Sequence, residues 1–180
     1  MQVDYASIDS AFGSIWFAAG TRGLVALDVD VEGGAFVGRL LAIGYLPNHA
    51  PRELSSFALQ LDEYFRGERR RFDVDIDLSR QTPFQTAVLK AITSVPYGEV
   101  RSYGEIAELI GRPGAARAVA GALASCPLSI VIPCHRVTRS GVGGDERALF
   151  GDPGSARRLS LVRFERKMLR ARGNRGTADL

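Results

Sequence analysis

The sequence predicts a two-part α+β protein, in which a small α/β unit precedes a helical unit carrying a helix-turn-helix. Three observations point there. Strand-like apolar runs, Leu24-Val25-Ala26-Leu27 among them, precede a helix in the first half. Two capping boxes, Thr82-Pro83-Phe84-Gln85 and Ser102-Tyr103-Gly104-Glu105, open helices in the second. Charge divides at the same place: residues 1–80 carry 8 basic and 12 acidic side chains, and residues 81–180 carry 15 and 8.

In the first half, Ile15-Trp16-Phe17-Ala18-Ala19 and Leu24-Val25-Ala26-Leu27-Asp28-Val29 flank Gly20-Thr21-Arg22-Gly23, the signature of a hairpin. Leu54, Phe57, Ala58, Leu61, Tyr64 and Phe65 recur at helical spacing, which predicts an amphipathic helix over residues 52–66. Phe72, Val74, Ile76 and Leu78 then alternate with Asp73, Asp75 and Asp77, so residues 72–78 read as a half-buried strand with its carboxylates in water. No nucleophile or acid–base pair gathers here. Residues 1–79 read as an α/β support domain.

The second domain is expected over residues 80–170. Phe84, Val88, Ala91, Ile92 and Val95 give its first helix an apolar stripe, and Pro96-Tyr97-Gly98 is expected to end it. The second helix runs through Ile106, Leu109 and Ile110 to Gly111. After Arg112-Pro113-Gly114, the stretch from Ala115 to Ala124 is a helix of mostly small side chains. The pair is either a DNA-binding helix-turn-helix, with Arg117 as its cationic contact, or a plain hairpin packed by alanines. A surface of Ala and Gly comes close to a narrow groove, which favours DNA. Residues 171–180 read as a flexible tail.

Composition narrows the function classes. With 46% apolar and 24% charged residues the chain has an ordinary globular composition, and no run reaches the ~18 apolar residues of a membrane span. The start, Met1-Gln2-Val3-Asp4-Tyr5, lacks a signal-peptide pattern, and two cysteines suit a reducing, cytoplasmic setting. Two histidines and two cysteines without zinc-ligand spacing predict no metal site. The basic second half is suited to a polyanion, although arginine can also simply decorate a surface.

The chemistry concentrates late in the chain. Ser129-Ile130-Val131-Ile132 reads as a short buried strand stopped by Pro133, and Cys134-His135-Arg136-Val137 follows. Such a cysteine is either a small buried hydrophobe or a nucleophile. A nucleophile needs a base or cation to reach the thiolate, and His135 and Arg136 supply both types. Neighbours in extended chain face opposite ways, so contact between sulfur and imidazole requires a turn or a bridging water. Further on, Leu161, Met168 and Leu169 place Glu165 beside an apolar helical stripe. A carboxylate there needs a partner: His135, whose tautomer it would fix, or Arg158 or Arg166 at the helix edge.

Together these residues resemble a family. Ile132-Pro133-Cys134-His135-Arg136-Val137 is similar to the active-site sequence of the O6-alkylguanine-DNA alkyltransferases, the methylated-DNA–protein-cysteine methyltransferases. Phe84-Gln85, Pro96-Tyr97-Gly98-Glu99, Ser102-Tyr103-Gly104-Glu105-Ile106-Ala107 and Arg117-Ala118-Val119 fall at the family's spacing before the cysteine. Arg158, Leu161 and Glu165 resemble its Lys-x-x-Leu-Leu-x-x-Glu helix, with Arg for Lys and Val162 for the second Leu. Tyr64-Phe65-Arg66-Gly67 extends the likeness into the first domain, so that it covers nearly the whole chain.

The resemblance implies a ribonuclease-H-like α/β domain followed by a winged-helix-like one. It implies a monomer that binds double-stranded DNA, flips O6-alkylguanine (or O4-alkylthymine) from the stack, and takes the alkyl group onto Cys134 once, with no cofactor. His135 would activate Cys134 through water, Glu165 would orient His135, and Tyr103 would stabilise the departing base. Arg117 would fill the gap left by that base; Phe84, Tyr103, Gly104, Arg112 and Ser140 would be further DNA contacts. The competing readings are a lesion binder that accepts no alkyl group and a helix-turn-helix regulator with a redox thiol. Glu165 favours the acceptor, since a binder has no use for an acid–base chain.

Three positions depart from the family pattern. Cys126-Pro127 stands for Asn-Pro, Asp145 stands where a loop tyrosine is usual, and Leu89 replaces a common Trp.

Overall fold

The computed structural model describes residues 1–139 and 155–173. Ser140 and residues 143–146, which include Asp145, lie outside the described residues. The chain divides into two compact units: Met1–Arg80 with Pro127–Val131, and Gln81–Cys126 with Ile132–Leu180.

The first unit is built on a four-stranded sheet of β1 (Gln2–Ser10), β2 (Gly13–Gly20), β3 (Gly23–Val29) and β4 (Leu46–His49), in the order β3-β2-β1-β4. The β1–β2 and β2–β3 pairs are antiparallel and β1–β4 is parallel. The hairpin expected at Gly20-Thr21-Arg22-Gly23 is present, with Gly20 opposite Gly23. Leu24, Val25, Ala26 and Leu27 are all buried, because β3 is covered on both faces. On one face α1 (Gly33–Ala42) brings Phe36 and Leu40 against Ala18, Val25 and Tyr45. On the other, α2 (Ser55–Phe65) sets Phe57 edge-on to Phe17, with ring centroids 5.0 Å apart.

Residues 72–78 do not form the expected strand. Their burial alternates as the pattern requires as far as Asp75, with Phe72 and Val74 more covered than Asp73 and Asp75. Asp77 breaks it, as covered as Ile76, with its side chain 5% exposed and paired to Arg22. Yet the segment meets β3 only at its first residues, beside the hairpin turn. Leu24 N–H donates to Asp75 O (2.9 Å) and Asp77 N–H to Leu24 O (2.8 Å), which makes a single bridge and no ladder. Apolar alternation records which face is covered; it does not supply a partner strand.

The second unit packs α3 (Pro83–Ile92) and α4 (Tyr103–Leu109) against α5 (Ala116–Ala124). Both capping boxes form, with Thr82 and Ser102 accepting from the N–H groups of Gln85 and Glu105. The first helix stops at Ile92, earlier than expected, because the Thr93 and Ser94 hydroxyls donate to the Lys90 and Ala91 carbonyls (both 2.7 Å). At the end of α4, Arg112 N–H bonds Ala107 O and Gly111 N–H bonds Glu108 O, a Schellman stop that separates the two helices of the helix-turn-helix. A two-stranded parallel ladder joins β5 (Arg101–Ser102) to β6 (Val137–Thr138). The last helix, α6 (Ser155–Gly173), continues through residues 171–173, where a flexible tail was expected. Among the described residues no helix is long and apolar enough to cross a membrane.

Candidate active site

The strand expected over residues 129–132 is replaced by two tight turns. Val131 N–H bonds Ser129 O (2.9 Å) around Ile130, whose φ of 73° is rare for a β-branched side chain. Cys134 N–H then bonds Ile132 O (2.7 Å) around Pro133, at φ −77° and ψ 60°, the geometry of an inverse γ-turn. The chain passes from the second turn straight into a 3₁₀ turn, Cys134–Arg136. Such a turn was one of the two conditions under which neighbouring cysteine and histidine could cooperate.

All three side chains of that turn are buried, and they have different partners. His135 is 2% exposed, and its Nε2 lies 2.8 Å from Oε1 of Glu165, which is fully buried on α6. Arg136 grips the same carboxylate: Nε is 3.2 and 3.0 Å from its two oxygens, and Nη2 donates to Oε1 at 2.8 Å. Nη1 of Arg136 donates to Val95 O (2.8 Å), and the guanidinium lies over the Tyr97 ring, 5.4 Å from its centroid. Gly98 N–H completes the cradle, donating to Oε2 of Glu165 at 2.7 Å. Gly98 occupies the third position of a turn closed by Glu99 N–H to Pro96 O, with φ 80°. A Cβ there would fall 2.6 Å from Leu169 Cδ1.

Protonation states follow from this geometry. Burial pushes the Glu165 carboxyl up, but the hydrogen bond and charge of His135, then those of Arg136, outweigh it and hold the group at about 2. Burial pushes His135 down further than Glu165 raises it, so the imidazole is neutral at pH 7. Glu165 can only accept, so Nε2 of His135 carries the proton. Nδ1 is then a lone-pair acceptor, buried and without a hydrogen-bond partner among the described residues. Cys134 is 9% exposed, and the pKa of its thiol is raised well above the usual value. A hydrogen bond to Cys126 is the largest cause and burial the second, while Arg158 pulls weakly the other way. The thiol is protonated at rest.

The site residues read from the sequence are thus placed unevenly. Cys134, His135 and Glu165 share one buried cluster. Arg136 serves the carboxylate, where the sequence suggested a cation for the sulfur. Tyr103 begins α4, and its hydroxyl accepts a hydrogen bond from Arg158 Nη1 (3.4 Å), which makes Arg158 the residue that touches Tyr103 and also acts on Cys134. Arg166 Nε donates to Gly98 O (3.1 Å), bracing the turn that holds Glu165. Arg112 and Arg117 are exposed and hold no ion pair among the described residues. Arg117, Ala118, Gly121 and Ala124 form the open face of α5, opposite buried Val119, Ala122 and Leu123. Gly104 lies in the first turn of α4, and Phe84 in the first turn of α3, both half-buried. Four contributions were missed by sequence reasoning: Arg136 and Gly98 on Glu165, Arg158 on Tyr103, and Cys126 on Cys134. The requirement that a buried carboxylate be paired pointed to His135, Arg158 or Arg166; Arg136 was not among those partners, because it was read as a cation for the sulfur.

Comparison with known proteins bears directly on this arrangement. Residues 3–78 match the ribonuclease-like domain of 6-O-methylguanine DNA methyltransferase, and residues 83–167 match its DNA-binding domain. The chain is 39% identical to the methylated-DNA–protein-cysteine methyltransferase of Mycobacterium bovis, over 99% of this chain and 97% of that one. It is 37% identical to the protein of that name from Mycolicibacterium paratuberculosis, over 92% and 93%. Among solved structures it resembles Mycobacterium tuberculosis OGT in complex with DNA, with a TM-score of 0.72 and 38% identity over 93% of this chain and 94% of that chain. Both units are therefore matched, in order and at nearly full length. This chain belongs to the methylated-DNA–protein-cysteine methyltransferase family.

Proposed function

We propose that this chain repairs DNA by direct reversal, accepting the alkyl group of O6-alkylguanine onto Cys134 in a single turnover. The observation that carries the reading is the Glu165–His135 pair, which leaves Nδ1 of His135 as a buried base, without a partner among the described residues, in the same turn as a protonated thiol.

The steps follow from that pair. A thiol must lose its proton before sulfur attacks carbon. Nδ1 accepts that proton through a water, and Glu165 stabilises the imidazolium that results. Sγ of Cys134 then bonds to the alkyl carbon as the bond from carbon to O6 breaks, and the electron pair stays with guanine. The Tyr103 hydroxyl, polarised by Arg158, stabilises that departing oxygen. A thioether has no ready leaving path, so the protein is consumed. No step requires a cofactor.

Extrusion of the base is needed because O6 inside the stack cannot meet a buried sulfur. The open face of α5 suits that task. Ala118, Gly121 and Ala124 allow the helix backbone close to a narrow groove, and Arg117 reaches the space the base leaves. Arg112, Phe84, Tyr103 and Gly104 supply the surrounding contacts, and Ser140 is assigned one from the sequence alone.

The test is intact mass after incubation with a duplex containing O6-methylguanine. Cys134 should gain one methylene, about 14 Da. No gain, or a gain mapped to Cys126, overturns the reading. Cys134→Ala should abolish transfer and leave duplex affinity within a few-fold, since phosphate contacts dominate binding. Arg117→Ala should lower transfer more than binding; equal losses would make Arg117 an ordinary phosphate contact.

A further inference from the structure

Four polar or charged side chains are buried among the described residues, and three of them, His135, Arg136 and Glu165, meet at one carboxylate. Their charges can be counted. Glu165 brings one negative charge, Arg136 one positive charge, and the neutral imidazole none. A proton taken from solvent by His135 at rest would leave a net positive charge where water cannot screen it. Without Arg136 the count reverses. A neutral imidazole then leaves a bare carboxylate, and an imidazolium beside Glu165 becomes the balanced arrangement. The arginine and a resting proton on His135 therefore compete for the same counter-charge.

The guanidinium is fixed for that competition. Nε and Nη2 face Glu165, Nη1 donates to Val95 O, and the Tyr97 ring lies against its face. The other charged and titratable groups around the turn are engaged elsewhere or exposed. Arg166 on α6 donates to Gly98 O, and Arg158 on the same helix donates to the Tyr103 hydroxyl at the start of α4. Cys126, after α5, bears on the Cys134 thiol, and the one charge on α3, Lys90, is exposed. Burial and then Arg136 oppose a proton on His135, whereas Glu165 favours one.

We propose that Arg136 is a positioning residue for alkyl transfer, which by occupying Glu165 with its charge keeps Nδ1 of His135 open to receive the Cys134 proton. It acts through Glu165 and His135. An imidazolium formed at rest has no lone pair on Nδ1, so the thiol would keep its proton and the sulfur would stay unreactive. Transfer of the Cys134 proton to Nδ1 is different, because it moves charge within the site: the new imidazolium is matched by the new thiolate and the total is unchanged. The purpose of this device rests on Cys134 being the acceptor; its effect on His135 rests on the cluster alone.

The experiment uses the full-length protein and two readouts, imidazole NMR and single-turnover methyl transfer. The signal of the other histidine, His49, is identified by its loss in His49→Gln. Wild-type His135 at pH 7 should be neutral, with its proton on Nε2. Arg136→Gln keeps a donor for Glu165 and drops the charge, and its His135 titration midpoint should rise by at least about one pH unit. Transfer should then fall by about ten-fold or more on the acid limb of its pH profile, and by less than about two-fold at about pH 9. Arg136→Lys restores the charge without the fork, and should return the midpoint and the profile to within about half a unit of wild type. An arginine needed only for packing gives another result: both variants lose transfer equally at every pH and leave the titration where it was. That result overturns the proposal. So does an imidazolium at pH 7 in the wild type or, should Arg136→Gln not fold, in Arg136→Lys. A wild type that takes up no methyl at any pH overturns the acceptor reading instead, and the His135 titration still decides the role of Arg136.

Discussion

Glu63 in the first unit and Glu165 in the second each face an arginine, but in very different surroundings. The Glu63–Arg69 pair is about a quarter exposed on both sides, at 2.6 Å. The Glu165–Arg136 pair is 0% and 7% exposed, at 2.8 Å. Water can take the place of Arg69 for Glu63, so that contact adds little to stability. Nothing can take the place of the donors around Glu165, and its charge persists only because His135, Arg136 and Gly98 all point at it. The Glu63–Arg69 pair thus belongs to a solvated surface. The second unit uses its pair to hold a histidine in a single tautomer.

Mutation puts numbers on that contrast. Glu165→Gln removes the counter-charge of buried Arg136 and should cost about 3–5 kcal/mol in urea unfolding. Glu63→Gln should cost less than about 1 kcal/mol in the same assay. Similar losses would erase the distinction between the two units.

Acid should separate them next. Glu165 is held at about 2 against an ordinary 4.5, so its stabilisation is complete above about pH 4.5 and is lost as pH falls toward 2. The amount is about 3 kcal/mol. His135, also lowered, acts in the same direction from its ordinary 6.5 downward, since the unfolded chain binds that proton first. Denaturant midpoints between about pH 7 and pH 3 should therefore fall for the wild type, and fall less for Glu165→Gln across the lower part of the range. A wild-type midpoint that does not fall with pH would mean that the carboxylate is not selectively stabilised by folding.

Two glycines give smaller effects of opposite sign. Gly98→Ala forces a side chain into positive φ and onto Leu169, and should cost about 1–3 kcal/mol in thermal unfolding. Gly121 lies within α5 with open space where a Cβ would point. Gly121→Ala should stabilise the fold by about 0.5–1 kcal/mol. If DNA approaches this face, the same change should weaken duplex binding; stability without that loss would move the DNA contact off α5.

Much of the architecture was legible because its signals are local. Both capping boxes lie within four residues, and the β2–β3 turn within four more, so each carries its own hydrogen-bond partners. The strand β1 carried no such signal. Its apolar order is broken by Asp4, Ser7 and Asp9, and its partner β4 enters the sheet some forty residues later. The helix α1 was hidden by Gly33, Gly34 and Gly38, which lower intrinsic helicity and are offset by burying Phe36 and Leu40. In β4 the short run with Pro47 fits an edge strand, which no periodicity announces.

For the reactive centre, residue chemistry alone determined the candidates: a cysteine followed by histidine, and a glutamate beside an apolar stripe that had to be paired. Tertiary structure decided who pairs with whom. Contacts across 29, 30 and 67 residues give Glu165 to Arg136, His135 and Gly98 together, and two γ-turns replace the strand expected before Pro133 and lead into the 3₁₀ turn of Cys134–Arg136. Folding also buried Cys134, and that burial together with Cys126 keeps its thiol protonated. The reason is physical: sequence specifies which groups need partners, but a buried charge is stable only where several distant donors converge, and that convergence exists only in the folded chain.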